Sequence, residues 1–334
     1  HMAHNDVVTL PEEYTIRHAR DQDAQQVVTL MDACDTSFGV PRAAFPVAEL
    51  QAGWADLDLD RDTWLILAPD GALAAYGEFA DNGAGKLQSD GYVHPDYRGK
   101  GLGTALVRLM EARARERVDA APVGAQVAVD SGVLLLDHAA NDLMAREGYT
   151  VVRVFHEMRI TLTEAPIVPE APTGLRLRAF IPGQDERAVY DTVEAAFADH
   201  WNHIPREFDE WISRTQRSGF DPSLWLLIEA EDGTIPAVSL GALREDHGWI
   251  NTVATLRAWR GQGLAGALLR ASFRAFWEHD MRVVALGVDA QSPTGATRVY
   301  EAAGMRAGSS AVIFQKILRP GVDLATMGAQ SAQA

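Results

Sequence analysis

Hydrophobic positions along the chain follow two periods, one typical of strands and one typical of helices. Short apolar runs at Trp64–Leu67 and Trp225–Ile228 precede Asp-Gly pairs, which indicates strands that turn back as hairpins. Apolar residues spaced three and four apart predict amphipathic helices over 102–115 and 264–278. The pattern is that of a mixed α/β protein.

The same order of segments occurs twice. The segment that begins at Trp64 recurs at Trp225, an offset of 161 residues, and the segment at Arg98 recurs at Arg260, an offset of 162. A fixed offset over much of the chain indicates duplication. A Pro-rich stretch between the copies is typical of a linker. We therefore predict an N-terminal domain over 1–163, a linker over 164–174, a C-terminal domain over 175–320 and a flexible tail over 321–334.

In each copy the sequence pattern predicts a short strand, two helical stretches and a hairpin. These are followed by a strand that ends in a Gly-rich loop, a helix, a strand and a further helix. A last strand then completes the copy, over 151–160 in the first and over 312–317 in the second. We expect each copy to form its own sheet.

Charge and composition restrict the partners. The 334 residues carry 46 Asp and Glu against 30 Lys and Arg, a formal net charge of −16, which disfavours nucleic acid and anionic lipid. Cys34 is the single cysteine, and the sequence holds no apolar run of membrane-spanning length and no signal-peptide pattern. These features predict a cytoplasmic protein, monomeric or homodimeric, that binds neither nucleic acid nor membrane.

The Gly-rich segments Arg98–Gly103 and Arg260–Ala265 each lie between a strand and an amphipathic helix. Backbone N–H groups at such a helix N-terminus favour an anion, and glycine lets a phosphate approach closely. A dinucleotide-binding loop would stand in the first βαβ unit, and a nucleotide-triphosphate loop would continue with Gly-Lys-Ser or Gly-Lys-Thr. Neither description fits, because the loops lie in mid-domain and Thr104 follows Gly103 directly.

The segment Val93–Gly103 closely resembles the acetyl-coenzyme A motif of the GNAT acetyltransferase superfamily. The resemblance implies two tandem domains, each with a central mixed, mostly antiparallel twisted sheet flanked by helices, and acetyl-CoA as cofactor. The tandem layout, together with Val288–Ala296 and Val299–Glu301, resembles two-domain actinobacterial members of the mycothiol synthase type. Ser292 departs from that signature, in which Asn is usual.

Carried over residue by residue, the resemblance implies a set of cofactor-binding positions in both copies. In copy one they are Val93, Arg98, Gly99, Lys100, Gly101, Leu102, Gly103 and Thr104, and in copy two Val253, Thr255, Arg260, Gly261, Gln262, Gly263, Leu264, Ala265 and Ser292.

The family pattern has a tyrosine four residues ahead of a helix-closing glycine, as the acid that protonates the departing thiolate. Tyr300 before Gly304 matches it, whereas copy one has Met144 before Gly148. We therefore expect copy two to be catalytic, and copy one to be non-catalytic while able to bind acetyl-CoA.

Glu245 and His247, just ahead of the loop-bearing strand, are candidates for the residue that receives the amine proton, with solvated turn residues as the alternative. Asp199, His200 and Trp201 lie where family members bind the acceptor. Two histidines at 200 and 203 are too few ligands for a zinc site, so no metal is predicted.

The sequence thus predicts an N-acetyltransferase acting on the primary amine of a small acceptor, with cationic amines and amino sugars as candidates. A catalytically silent acyl-CoA sensor or partner-binding protein is the alternative.

Overall fold

The computed structural model describes residues 8–39, 45–201, 203–217, 219–292 and 295–325, so most of the predicted tail, from residue 326 onward, lies outside the described residues. The chain divides into two compact units. Unit 1 takes the chain up to Val154 together with Ser310–Leu324, and unit 2 takes Phe155–Ser309.

The first half of the chain follows the predicted order of elements. Its strands and helices are β1 (Thr15–Arg17), α1 (Ala24–Ser37), α2 (Val47–Trp54), α3 (Leu59–Asp62), β2 (Thr63–Leu67), β3 (Leu73–Asp81), β4 (Lys86–Val93), α4 (Leu102–Glu116), β5 (Val127–Leu134), α5 (His138–Arg146) and β6 (Thr150–Thr161).

The second half follows a segment without helix or strand and repeats this order, except that its described residues have no counterpart of α3. Its elements are β7 (Leu175–Ala179), α6 (Glu186–Phe197), α7 (Phe208–Thr215), β8 (Phe220–Ala230), β9 (Ala237–Leu243), β10 (Gly248–Thr255), α8 (Leu264–Glu278), β11 (Val283–Asp289), α9 (Ala296–Ala302) and β12 (Arg306–Arg319).

Each unit contains a mixed, mostly antiparallel sheet, as predicted. In unit 1 the strand order is β1-β2-β3-β4-β5-β12, and β4 with β5 is the parallel pair. In unit 2 the order is β6-β11-β10-β9-β8-β7, and β10 with β11 is the parallel pair. The parallel pair therefore occupies the equivalent place in both sheets.

The last strands differ from the prediction that each copy completes its own sheet. Residues 155–161 of β6 pair with β11 in unit 2, and residues 311–319 of β12 pair with β5 in unit 1. Buried side chains follow the pairing, since Met158 belongs to the core of unit 2 and Phe314 to that of unit 1. The two strands carry equivalent apolar patterns, so the pattern alone could not assign them. The compact units consequently differ from the predicted division at these strands.

The start of the predicted flexible tail is also attached to unit 1. The Val322 N–H donates to the Gly124 carbonyl at 2.9 Å, and Lys86 Nζ lies 2.8 Å from Asp323 Oδ2. The Lys86 side chain is buried, so this ion pair supplies its counter-charge. Residues 322 and 323 are therefore part of the fold, which corrects the prediction for this stretch.

Close approaches between helix and sheet position the two Gly-rich loops. In unit 1, α4 packs Leu106 and Met110 over Gly77, where a Cβ would lie 3.1 Å from Leu106 Cδ2. In unit 2, Phe276 of α8 covers Gly248, where a Cβ would lie 2.4 Å from Phe276 Cδ1. Because a Cβ at either position would crowd these helix side chains, the glycines allow each helix to approach its sheet closely.

The repeat extends to individual contacts. Arg17 Nη1 lies 2.6 Å from Asp23 Oδ2 at the end of β1, and Arg178 Nη1 lies 2.6 Å from Asp185 Oδ2 at the end of β7. Each aspartate also accepts a backbone N–H that follows its strand, from Arg20 and from Ile181. Both copies therefore fasten the first strand to the first helix in the same way.

Candidate active site

In unit 2 the parallel strands β10 and β11 separate part-way along their length. They pair as far as Ile250 opposite Leu286, and the register of β10 against β9 shifts between Ile250 and Thr252. Beyond that point lies a cavity of about 500 Å³, whose walls include Thr252–Thr255 and Leu286–Asp289.

Unit 1 has the equivalent opening. Its strands β4 and β5 pair over Lys86–Gln88 and then separate, and a cavity of about 540 Å³ lies beyond the last pair. The register of β4 against β3 is continuous, in contrast to β10. The cavity of unit 2 is therefore lined by a strand with a shift in register, whereas the strand that lines the cavity of unit 1 has none.

A glycine-rich loop at the start of a helix lies at each cavity. Gly99 and Gly101 have φ values of 77° and 83°, and Gly261 and Gly263 have values of 78° and 80°, a left-handed conformation that favours glycine. In the described part of the chain, the backbone amides of residues 99–104 and 261–266 donate to no protein acceptor. Since the dipoles of α4 and α8 favour an anion at the same place, both loops fit the diphosphate of coenzyme A.

Most of the predicted cofactor-binding residues line the two cavities, while Lys100 and Gln262 are exposed on their loops. The cavity of unit 1 is lined by Val93, Arg98, Gly99, Gly101, Leu102, Gly103 and Thr104, and that of unit 2 by Val253, Thr255, Arg260, Gly261, Gly263, Leu264, Ala265 and Ser292. Pro293 and Thr294 of the family signature lie outside the described residues.

The loop arginines are held by protein groups. Arg98 Nη2 donates to Ser37 Oγ at 3.0 Å, and the Arg98 guanidinium lies 4.6 Å from the centre of the Phe38 ring. Arg260 donates to the Ala196 carbonyl at 3.0 Å and to Asp199 Oδ2 at 3.1 Å. Both arginines thus fasten the loop to the end of the first helix of their unit.

Tyr300 lines the cavity of unit 2 from α9. Its side chain is buried, and burial raises the pKa of the phenol to about 12. The hydroxyl is therefore protonated at neutral pH and can donate its proton. In unit 1 the side chain that lines the cavity from the equivalent helix position is Met144, which has no transferable proton.

The structure does not bring Glu245 and His247 to this cavity. Both lie in the turn that precedes β10, where the Arg244 N–H donates to the His247 carbonyl at 2.9 Å. At about 3.3 Å per residue, His247 is on the order of 10 Å along the chain from Ile250, where the cavity begins. The His247 ring is buried, its Nδ1 lies 2.9 Å from Asp246 Oδ1, and burial lowers its pKa. Spacing along the chain could not reveal that the loop end of β10, rather than its start, borders the cavity.

The predicted acceptor segment, Asp199–Trp201, follows α6, and only part of it lines the cavity. His200 and Trp201 line the cavity, whereas Asp199, among the described residues, is not part of the lining. Burial alone would raise the pKa of Asp199, but hydrogen bonds from Arg260 and Arg257 outweigh it and lower the pKa well below its usual range. Asp199 is therefore a charged anchor for the segment.

Phe155 also lines this cavity, and sequence reasoning missed it. Its ring centre lies 6.4 Å from that of Trp201. Phe155 belongs to β6, which the repeat pattern had assigned to the first copy. Only the pairing of β6 with β11 shows that this strand reaches the second site.

Metal sites and membrane spans each have structural requirements that can be compared with the described residues. These residues contain no group of three or more His, Cys, Asp or Glu placed to hold a metal ion. His203 Nε2 instead lies 3.1 Å from Glu194 Oε2. No described helix has the length and apolar character needed to cross a bilayer.

Two curated relatives match nearly the whole chain. The chain is 30% identical over 307 residues to a mycothiol acetyltransferase of Thermomonospora curvata. The alignment covers 88% of this chain and 94% of the relative. It is 28% identical over 319 residues to a mycothiol acetyltransferase of Nocardiopsis dassonvillei. That alignment covers 87% of this chain and 92% of the relative.

Solved structures share the fold. A GCN5-related N-acetyltransferase from Sphaerobacter thermophilus superposes with a TM-score of 0.84 at 40% identity, over 95% of this chain and 100% of that chain. A tandem GNAT protein from the clavulanic acid biosynthesis pathway superposes with a TM-score of 0.69 at 15% identity, over 93% of this chain and 100% of that chain, and shows the fold alone.

The model of the acetyltransferase (GNAT) family matches the chain twice, over residues 26–150 and 187–305. The two matches fall on the two copies and confirm the predicted tandem fold, the acetyltransferase class and acetyl-CoA as cofactor. The chain therefore belongs to the GNAT family and is an acetyl-CoA-dependent acetyltransferase.

Proposed function

We propose that unit 2 transfers the acetyl group of acetyl-CoA to the primary amine of a small acceptor, with Tyr300 as the general acid. The observation that carries the proposal is that Tyr300 and the loop Arg260–Ala265 line one cavity. The protonated phenol can give its proton to the departing thiolate. The names of the mycothiol acetyltransferase relatives support an acceptor of small-molecule size.

The residues of unit 2 divide into those that hold the donor and those that face the acceptor. Acetyl-CoA supplies an activated acyl group. The loop amides from Gly261 to Ala265 bind its diphosphate, and the edge of β10 at Val253 and Thr255 orients the thioester end. The aromatic side chains of Phe155, Phe197 and Trp201 line the rest of the cavity and exclude water from it. Cationic amines and amino sugars remain the candidate acceptors.

We propose that unit 1 binds acetyl-CoA without catalysing transfer. Its loop has the same left-handed glycines and free amides as that of unit 2, and its cavity is of similar volume. Met144 cannot protonate a thiolate. The proposed division of roles rests on this difference between the residues that line the two cavities.

Replacing Tyr300 by Phe tests the assignment. Since only the hydroxyl is lost, Tyr300→Phe is expected to lower kcat about 10²-fold to 10³-fold while leaving the Kd for coenzyme A unchanged. Turnover is measured as thiol release from acetyl-CoA with a panel of primary amines. Tyr190→Phe is the matched control, because the Tyr190 hydroxyl donates to the Arg206 carbonyl and Tyr190 does not line the cavity within the described residues.

The silent-sensor reading draws support from the distance of Glu245 and His247 from the cavity. It makes the opposite prediction. Tight binding of coenzyme A without thiol release over the whole amine panel would favour the sensor and contradict the proposed enzyme.

A further inference from the structure

Amine acetylation needs a group that takes the proton leaving the nitrogen, and few side chains of the unit 2 cavity can do so. Among the described residues that line it, His200, His203 and Asp289 are the candidates. His203 Nε2 is paired with Glu194 Oε2 at 3.1 Å, and Asp289 Oδ1 accepts the Gln291 N–H at 2.8 Å in the turn after β11. Of the three, His200 is the side chain whose ring nitrogens form no hydrogen bond within the described residues.

The His200 ring is held with one nitrogen inside the protein. It packs on Phe197 with ring centres 4.3 Å apart, and 26% of the side chain is exposed. Its Nδ1 is buried and lies 3.4 Å from Asp199 Oδ1, longer than a hydrogen bond. Because Nδ1 itself is covered, the exposed part of the side chain belongs to its other atoms. Burial lowers the pKa of His200, against the opposing influence of Asp199, so the imidazole is neutral near pH 7.

The charges around His200 favour one tautomer. Asp199 is fixed by Arg260 Nη1 at 3.1 Å and by Arg257 Nη2 at 3.0 Å, which keep its carboxylate charged. A charged carboxylate beside Nδ1 favours the tautomer that carries its proton on Nδ1. Nε2 then has the free lone pair and is the proton acceptor. Arg260 and His203 are the other groups whose charge acts on the ring, and both disfavour the imidazolium form.

We propose that His200 accepts the proton of the acceptor amine and that Asp199, anchored by Arg257 and Arg260, is its positioning residue. The inference rests on the proposed function of unit 2. In the reaction the amine nitrogen forms a bond to the acetyl carbonyl carbon and the carbon–sulfur bond breaks. The proton leaving nitrogen passes to His200, and the proton arriving at sulfur comes from Tyr300. Both side chains then return to their starting states by exchange with water.

Replacing His200 by Gln removes the proton acceptor and keeps a polar side chain. His200→Gln is expected to lower kcat at saturating acceptor about 10²-fold or more and to remove the acid limb of the pH profile. The Kd for coenzyme A should stay unchanged. The matched control is His279→Gln, because His279 also has a carboxylate partner, Asp221 at 3.1 Å, yet lies outside the cavity lining of the described residues.

Replacing Asp199 by Asn tests the positioning role without relying on turnover. Asp199 raises the pKa of His200 against the effect of burial, so Asp199→Asn should lower that pKa in NMR titration of the protein without coenzyme. The acid limb of kcat should move to lower pH by the same amount. A purely structural role of Asp199 would reduce activity without moving the limb.

The outcomes separate this inference from the proposed function. If the His200→Gln variant is fully active while the separate Tyr300→Phe variant is impaired, the inference is contradicted and the proposed function still stands. Loss of the acid limb in His247→Gln instead of His200→Gln would restore the base expected from the sequence and likewise contradict it. Absence of thiol release from the unaltered chain would contradict both.

Discussion

Glu78 of β3 lies directly opposite Asp90 of β4, so two carboxyl groups share one face of the unit 1 sheet. The Tyr76 hydroxyl donates to Glu78 Oε2 and accepts from Trp54 Nε1 at 2.7 Å. Burial, reinforced by Asp90, raises the pKa of Glu78 to about 7. The folded protein therefore binds a proton at Glu78 that the unfolded chain, with an ordinary pKa of 4.5, releases at lower pH.

This proton makes the stability of unit 1 depend on pH. Because the pKa is higher in the folded state, the contribution is fully present below about pH 4.5 and is lost as the pH rises through 7. Glu78→Gln should remove a slope of about 1.4 kcal/mol per pH unit between those values. Urea unfolding at a series of pH values measures it, with Asp81→Asn on the same strand as control. An equal slope in Glu78→Gln and the unaltered chain would contradict the assignment.

At the scale of the element, a substitution in each Gly-rich loop tests whether that loop binds coenzyme A. Gly101 and Gly263 are left-handed, so Ala at either position adds backbone strain of about 1–2 kcal/mol and disturbs the loop amides. We expect calorimetry to find two sites for coenzyme A in the unaltered chain. Gly101→Ala and Gly263→Ala should each weaken one of them about 10-fold or more, and only Gly263→Ala should lower turnover.

Gly53→Ala is the control for these variants. Gly53 lies in α2 with an ordinary φ, and a Cβ there would meet nothing within 4 Å. It should leave both sites intact. Equal loss of turnover in Gly101→Ala and Gly263→Ala would show that unit 1 contributes to catalysis, against the proposed division of roles.

Helices and loops were predictable because their signals are local. The three-four spacing of α4 and α8 and the glycines at their N-termini are readable in any short window of sequence. The partners of β6 and β12 depend on contacts with residues far along the chain. Both strands carry a similar apolar pattern, and either could have completed either sheet. The duplication was readable from the sequence, but the exchange of these strands was not.

At the scale of the whole molecule, unit 1 depends on residues 310–324, which follow all of the unit 2 sheet. Deleting residues 310–334 removes β12 as a partner of β5, the buried Phe314 and the Asp323 that pairs with Lys86. Hydrogen exchange should then show loss of protection in β5, whereas a chain ending at residue 325 should keep it. Retained protection of β5 in the shorter chain would contradict the assignment of β12 to unit 1.

The site was predictable in part for the same reason. The donor loops and Tyr300 follow from motifs of fixed spacing, and both line the cavity of unit 2. Phe155 reaches that cavity through a strand whose pairing partner lies more than a hundred residues further along the chain. His247 directly precedes β10, the strand that lines the cavity, but it lies at the end of β10 that is away from the cavity. A spacing along the chain does not say which end of a strand borders an opening.

The assignment of β12 to unit 1 has a consequence for synthesis on the ribosome. All residues of the unit 2 sheet lie before position 310, whereas the unit 1 sheet requires residues that follow it. Domains that are contiguous in sequence fold in the order in which they are made. Here the half translated first must wait, with one edge of β5 uncovered, until residues 310–324 have also been made.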